Sequence, residues 1–107
     1  MEKTDTLGQF EQIVLAAVAT LEDDAYGVTI RAKVEEFSGK PVKFGSVYTT
    51  LDRLFDKGYL ESRMSEPTNE RGGRAKRCYK IKPAGLRALK ESAQTSTRVL
   101  EALEGLI

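Results

Sequence analysis

Histidine and tryptophan are absent from this 107-residue chain, and cysteine occurs once. Acid–base, nucleophilic and metal chemistry would therefore lack their usual participants, and no metal-ligand spacing or phosphate-cradling glycine motif is present. We expect no catalytic residues, no metal and no cofactor. The adjacent carboxylates Asp23 and Asp24 are typical of a solvated helix boundary. The single Cys78 excludes an intrachain disulfide; we expect it half-buried in a strand, with a redox role beside Arg77 as the alternative.

Long apolar runs are also missing. The longest, from Ile13 to Ala19, is far shorter than the roughly 20 residues that cross a bilayer, and no export signal begins the sequence. Hydrophobic residues at 40% and charged residues at 31% describe a soluble globular protein, which we expect in the cytoplasm. This length suits a single core, to which a dimer would add buried apolar surface.

Charge is unevenly distributed although the net charge is only +1. Between Lys40 and Lys82 there are eleven Lys or Arg residues against five acids, whereas the rest of the chain has six against eleven. A basic middle between acidic ends predicts a polyanion-binding side of the molecule.

Apolar residues at spacings of three and four predict three helices in the first half. The first runs from Leu7 to Leu21, and the second from Tyr26 to a stop at Gly39. A very short strand is expected at Val42, after Pro41. The third helix is expected from near Ser46 to Gly58, whose left-handed conformation would close it.

Two strands follow, from Tyr59 to Ser65 and from Lys76 to Ile81, joined by a polar, glycine-rich turn. Alternation places Leu60, Ser62 and Met64 inward on the first strand. Six positive charges without an acid lie in the twelve residues from Arg71 to Lys82, so this hairpin has a basic tip. Its glycines would let the loop approach phosphates closely.

The last segment, residues 83–107, opens with Pro83 and is predicted to form one long helix towards Gly105. Its apolar positions repeat in alternating steps of three and four, as in a seam that meets another helix. We expect a two-fold dimer formed mainly by this helix, with the first helix contributing. The seam comprises Leu86, Leu89, Ala93, Ser96, Leu100, Leu103 and Ile107.

The order helix, helix, short strand, helix, hairpin, helix predicts an α+β, mostly helical fold: a winged helix-turn-helix over residues 1–82, continuous with the dimerisation helix. In such folds the third helix enters the DNA major groove and the hairpin, or wing, follows the backbone. The polar face of the third helix supports this use, although any surface helix needs a polar face and Asp52 and Asp56 would repel phosphate.

Four segments together resemble the PadR-like family of transcriptional regulators: residues 26–30 (YGVTI), 44–54 (FGSVYTTLDRL), 57–61 (KGYLE) and 72–85 (GGRAKRCYKIKPAG). The resemblance implies that Ser46, Tyr48 and Thr49 lie at the DNA surface; Tyr48 as a core residue with its hydroxyl at the rim is the alternative. The sequence is similar to the short members with one C-terminal helix. Some of these hold flat aromatic ligands through an aromatic residue in that helix, but no aromatic follows Tyr79, so no effector is specified.

We therefore expect a sequence-specific, double-stranded DNA-binding regulator, a repressor, that acts as a homodimer on an inverted-repeat operator; a winged-helix module that binds only protein is the alternative. The expected recognition-helix contacts are Lys43, Ser46, Tyr48, Thr49, Thr50 and Arg53. The expected wing contacts are Arg71, Gly72, Gly73, Arg74, Lys76 and Arg77.

Overall fold

A computed structural model describes residues 6–66 and 75–106 of the chain. Helix α1 spans Gln9–Leu21, α2 Gly27–Ser38, α3 Phe44–Asp56 and α4 Pro83–Glu104. Strands β1, Leu60–Met64, and β2, Arg77–Ile81, pair antiparallel with Leu60 opposite Ile81. The expected α+β, mostly helical architecture is confirmed.

The core lies where α1, α2 and α3 meet beneath the hairpin. Helix α1 contacts α2, α3, β2 and α4, so it is the central element of the packing. Each of the first three helices contributes apolar side chains at the predicted helical spacing. The fully buried ones are Val14, Leu15, Ala17, Val18, Ile30, Val34, Val47, Leu51 and Leu54.

Helix α3 begins at Phe44, two residues before the expected start near Ser46. Lys43 is extended, and its carbonyl accepts the amide hydrogens of Ser46 at 3.1 Å and Val47 at 3.3 Å, which opens the helix early. At the other end Gly58 adopts a φ of +83°, as predicted, and the Tyr59 amide donates to the Leu54 carbonyl at 3.0 Å. The helix thus ends sharply enough for the chain to enter β1.

The strand expected at Val42 was wrong. The Val42 amide donates to Glu35 Oε2 at 2.9 Å, and its carbonyl accepts from Arg31 Nε at 2.8 Å, so side chains of α2 bind both backbone groups that a strand would pair. The extended segment that does pair with the hairpin lies elsewhere in the chain, just before α2. Tyr26 forms an isolated antiparallel bridge with Cys78, and the Tyr79 amide donates to the Ala25 carbonyl at 2.8 Å.

Burial along the hairpin follows the predicted alternation only at its base. Leu60 and Tyr79 are buried and Cys78 is half-buried, as expected for a strand cysteine. Met64, expected inward, is 56% exposed because the far end of the hairpin extends beyond the core. Its backbone remains paired there, with Ser65 N donating to the Lys76 carbonyl at 2.7 Å.

Helix α4 joins this unit only through its first turns. Gly85 is its one buried residue among those described, and Leu89 is partly buried against the core. From Ala93 to Leu106 every residue is exposed. In a helix of 22 residues, about 33 Å long, the C-terminal half therefore has all its residues exposed.

Candidate nucleic-acid interface

Helix α3 has one face in the core and the opposite face in solvent. Val47, Leu51 and Leu54 are fully buried. At 100° per residue, the side of the helix most distant from them carries Gly45, Thr49 and Asp52, all of which are exposed. A convex helix with a free polar face is the shape that enters a major groove.

Five of the six sequence-predicted contacts on this element lie on its accessible side. Lys43, Ser46, Tyr48, Thr49 and Arg53 are exposed. Thr50 is only 5% exposed, so its predicted place on the polar face was wrong. It follows Val47 by three residues and precedes Leu54 by four, which turns it toward the core.

Tyr48 lies on the flank of α3 that faces α2. Its ring is 44% exposed and stacks on Phe44 with centroids 6.1 Å apart. The phenol tip rests on the start of α2 so closely that a Cβ added to Gly27 would lie 2.0 Å from Tyr48 Oη. Tyr48 thus has features of both sequence-based predictions: one edge of its ring is packed against the protein, and the other edge is exposed where a ligand could contact it.

Carboxylates share the outer face with the hydroxyls. Asp52 and Asp56 are exposed, and Arg53 is the cation between them. Attraction of a polyanion must therefore come mainly from outside α3, because this helix carries more acid than base on its free side.

The stem of the hairpin supplies that positive charge. Lys76, Arg77, Lys80 and Lys82 are exposed. Lys76 Nζ lies 4.1 Å from the centroid of the Tyr26 ring, and Arg77 Nη1 donates to Ser62 Oγ at 3.1 Å. The other predicted wing contacts, Arg71, Gly72, Gly73 and Arg74, lie outside the described residues.

A half-buried ion pair fixes the far end of α3. Lys57 Nζ is 3.0 Å from Glu11 Oε2, and Glu11 Oε1 also accepts the Gly8 amide at 2.8 Å. Burial alone would raise the pKa of the Glu11 carboxyl, but the Gly8 amide and the Lys57 ammonium hold that pKa below its ordinary value. The Glu11–Lys57 pair joins α1 to the end of α3 next to the hairpin. Separately, burial raises the pKa of the Tyr79 phenol beneath the hairpin.

Two contacts of the Arg31 side chain around the start of α3 were not foreseen from sequence. Arg31 binds the Val42 carbonyl and lies over the Phe44 ring, 4.4 Å from its centroid. Arg31 and Phe44 are 13 positions apart, and no local pattern links an arginine on one helix to a ring on the next. Val99 on α4 and Leu106, just beyond the end of that helix, are both exposed and also fall outside the predicted seam.

Three helices followed by a two-stranded hairpin, with the third helix accessible to solvent, define a winged helix-turn-helix protein. The model of the transcriptional regulator PadR-like family matches residues 14–91, which is most of the chain. This protein therefore belongs to the PadR-like family of transcriptional regulators, and it is a DNA-binding regulator of transcription. The predicted resemblance is confirmed.

Solved structures show the same fold. A PadR-like transcription factor from Bacteroides fragilis is 23% identical, with 94% of this chain and 91% of that chain covered and a TM-score of 0.74. A PadR-like transcriptional regulator from Bacillus cereus is 24% identical over 90% of this chain and 88% of its own, also at 0.74. A PadR family transcription regulator from Clostridium difficile is 23% identical over 92% and 98%, again at 0.74.

A comparison with curated protein sequences found no significant match. Within residues 6–66 and 75–106, none of the helices has both the length and the apolar character needed to cross a membrane.

Proposed function

We propose that this regulator binds double-stranded DNA sequence-specifically, with α3 in the major groove. The observation that carries the proposal is the exposed row of Ser46, Thr49 and Arg53 on a helix whose opposite face is anchored in the core. Hydroxyls can bond several base edges, and arginine can bond guanine through two donors. Lys43 is exposed at the start of the helix, and its proposed partner is a phosphate.

The hairpin is proposed to hold the DNA backbone. Lys76 and Arg77 are exposed at its stem, and neither is paired with an acid among the residues that the structure describes. Arg71, Gly72, Gly73 and Arg74 remain predicted contacts at the tip. Phosphate contacts set register and affinity but carry little sequence information, so the two elements have separable roles.

We further propose a homodimer assembled through α4. The solvent-exposed fractions of Leu100 and Leu103, 56% and 52%, are large for leucines on one stripe of a helix. A contiguous apolar stripe of this kind is typical of an interface. The proposed seam is Leu86, Leu89, Ala93, Ser96, Leu100 and Leu103, with exposed Val99 and Leu106 beside it; Ile107, predicted to close it, lies outside the described residues.

A two-fold dimer presents two copies of α3 to two half-sites, so the operator is proposed to be an inverted repeat. Recognition helices that enter successive major grooves lie about 34 to 36 Å apart. Repression is the proposed outcome, because a dimer lying across its operator would block polymerase from the same DNA.

DNA binding can be tested by titrating labelled duplex at several salt concentrations. The duplexes are the preferred sequence, recovered by selection from a genomic or random pool, and a random sequence. Arg77→Ala should weaken binding to both and flatten the salt dependence by about one phosphate equivalent per subunit, whereas Thr49→Ala should weaken mainly the preferred sequence, by about 1 to 3 kcal/mol. Arg98→Ala removes the same charge from α4 and serves as the control.

A protein-binding module without DNA affinity is the competing function. It predicts no salt-dependent binding to any duplex and no difference between the Arg77 and Arg98 variants. That result would overturn the proposal and favour the competitor.

The dimer is tested by sedimentation at micromolar concentration. The unaltered chain should sediment as a dimer, and Leu100→Glu should shift it toward monomer because the change buries an unpaired charge in the seam. Arg98→Glu adds an acid outside the seam as a control. A monomeric unaltered chain would refute this part of the proposal.

A further inference from the structure

The turn between α2 and α3 is bound on both sides by one pair of α2 side chains. Arg31 Nε donates to the Val42 carbonyl at 2.8 Å, and Glu35 Oε2 accepts the Val42 amide at 2.9 Å. Arg31 and Glu35 also face each other, with 3.6 Å between Nε and Oε2. Val42, two residues before α3, is therefore held to α2 through both of its backbone polar groups.

The same guanidinium contacts the first residue of α3. It lies 4.4 Å from the Phe44 ring centroid, and Phe44 stacks in turn on Tyr48 with 21° between the ring planes. Tyr48 closes the row by resting on Gly27, one helical turn before Arg31 on α2. The first two turns of α3 are thus located by a row of contacts along a single face of α2.

We propose that Arg31 is a positioning residue for sequence recognition: it sets the direction of the first turn of α3 and so places Ser46 and Thr49 against the bases. This inference rests on the proposed reading of DNA by α3. Arg31 is also a cation near the DNA-facing end of the molecule, so a phosphate contact is the competing role. Its engagement with a carbonyl, a carboxylate and a ring favours positioning.

Arginine suits this task and lysine does not. A planar guanidinium can donate from its edge to the Val42 carbonyl, lie beside the Glu35 carboxylate and extend over the Phe44 ring at the same time. An ammonium is a point charge that meets a phosphate about equally well but cannot make the edge and face contacts together. Arg31→Lys therefore separates the two roles while keeping the charge.

Helix α2 carries its own control. Lys33 pairs with Glu36 at 3.0 Å and lies 6.0 Å from the Phe37 ring centroid, so it has a carboxylate and an aromatic partner as Arg31 does. Both of its partners belong to α2 itself. Lys33→Ala should therefore remove comparable surface interactions without affecting the direction of α3.

The experiment measures the affinity ratio between the selected sequence and random duplex, together with the salt slope, for Arg31→Lys, Arg31→Ala and Lys33→Ala. Both Arg31 variants should lower the ratio by about five- to tenfold, from the lost carbonyl and ring contacts, with the salt slope and random-DNA affinity unchanged. Lys33→Ala should have the same affinity ratio as the unaltered chain. Retained random-DNA binding shows that the Arg31 variants are folded.

Three results would overturn the inference. In the first, Arg31→Lys keeps the full ratio while Arg31→Ala flattens the salt slope by about one phosphate equivalent, which identifies Arg31 as a phosphate ligand. In the second, both variants match the unaltered chain, so Arg31 has no role in recognition. In the third, both variants lose specific and random binding equally, which identifies a role in folding alone. Thr49→Ala is measured in parallel: if it leaves the ratio unchanged, α3 does not read bases and the proposed function itself fails.

Discussion

Replacing Gly85 by alanine probes the place where α4 joins the winged domain. A Cβ at Gly85 would lie 2.4 Å from the Tyr59 carbonyl oxygen and 3.0 Å from Ile81 Cγ1. The obstacle is backbone, and it is held in place because that carbonyl accepts the Lys82 amide at 2.9 Å. Neither the helix nor the carbonyl can yield without disturbing the junction of α4 with the hairpin.

The magnitude follows from three terms. Overpacking costs about 1 to 3 kcal/mol, and weakening the bond from the Lys82 amide costs about 1 kcal/mol more. The better helix propensity of alanine offsets this by up to about 1 kcal/mol. The free energy of unfolding should therefore fall by about 2 kcal/mol, which lowers the Tm of a domain of this size by about 10 °C.

Thermal unfolding followed by circular dichroism measures this shift, with all variants at one protomer concentration because dimerisation makes Tm concentration-dependent. Gly45→Ala is the matched control: it adds the same methyl group in a helix, at a negative φ, where no atom beyond its chain neighbours and its own helical backbone lies within 4 Å of the new Cβ. It should raise stability by about 0.5 to 1 kcal/mol. A Gly85 variant as stable as the Gly45 variant would refute the packing argument.

Three further outcomes are expected. Gly27→Ala should fall between those two variants in Tm, because the obstacle is the tip of the half-exposed Tyr48 side chain, which can rotate away. Asp52→Asn should tighten binding to random duplex about two- to threefold by removing a charge that repels phosphate, as titration at low salt would reveal. The lowered pKa of Glu11 means that its stabilising charge is present above the unfolded-state pKa and is lost as pH falls through the folded-state pKa. Denaturant unfolding between about pH 5 and pH 3 should therefore show a steeper loss of stability in the unaltered chain than in Glu11→Gln; parallel curves would contradict this assignment.

The elements were predictable wherever the signal is local. Helical spacing identified α1, α2 and α3, and Gly58 marked the end of α3, because burial on one face and a left-handed cap both leave residue-level traces. The strand at Val42 was mispredicted for the opposite reason. Its backbone partners are Arg31 and Glu35, and a sequence does not show that side chains will take the place of a neighbouring strand.

The candidate site divides along the same line. Ser46, Thr49 and Arg53 were correctly predicted to be accessible, since they lie well away from the apolar stripe of α3. The exposure of Thr50 was mispredicted because its side chain is polar, yet its position around the helix axis lies at the margin of the apolar stripe and turns it into the core. Polarity of a residue predicts its exposure only where the helix face is unambiguous.

The amino-acid sequence by itself determined the order of the four helices and the two hairpin strands, the basic hairpin and the apolar stripe on α4, because periodicity, charge and turn chemistry are properties of short segments. Only the tertiary structure decided that Thr50 is buried, that Tyr48 rests on Gly27, and that Arg31 holds the turn before α3. These contacts join residues from different helices. They depend on how α2 and α3 pack across the shared core, a geometry that no single segment encodes.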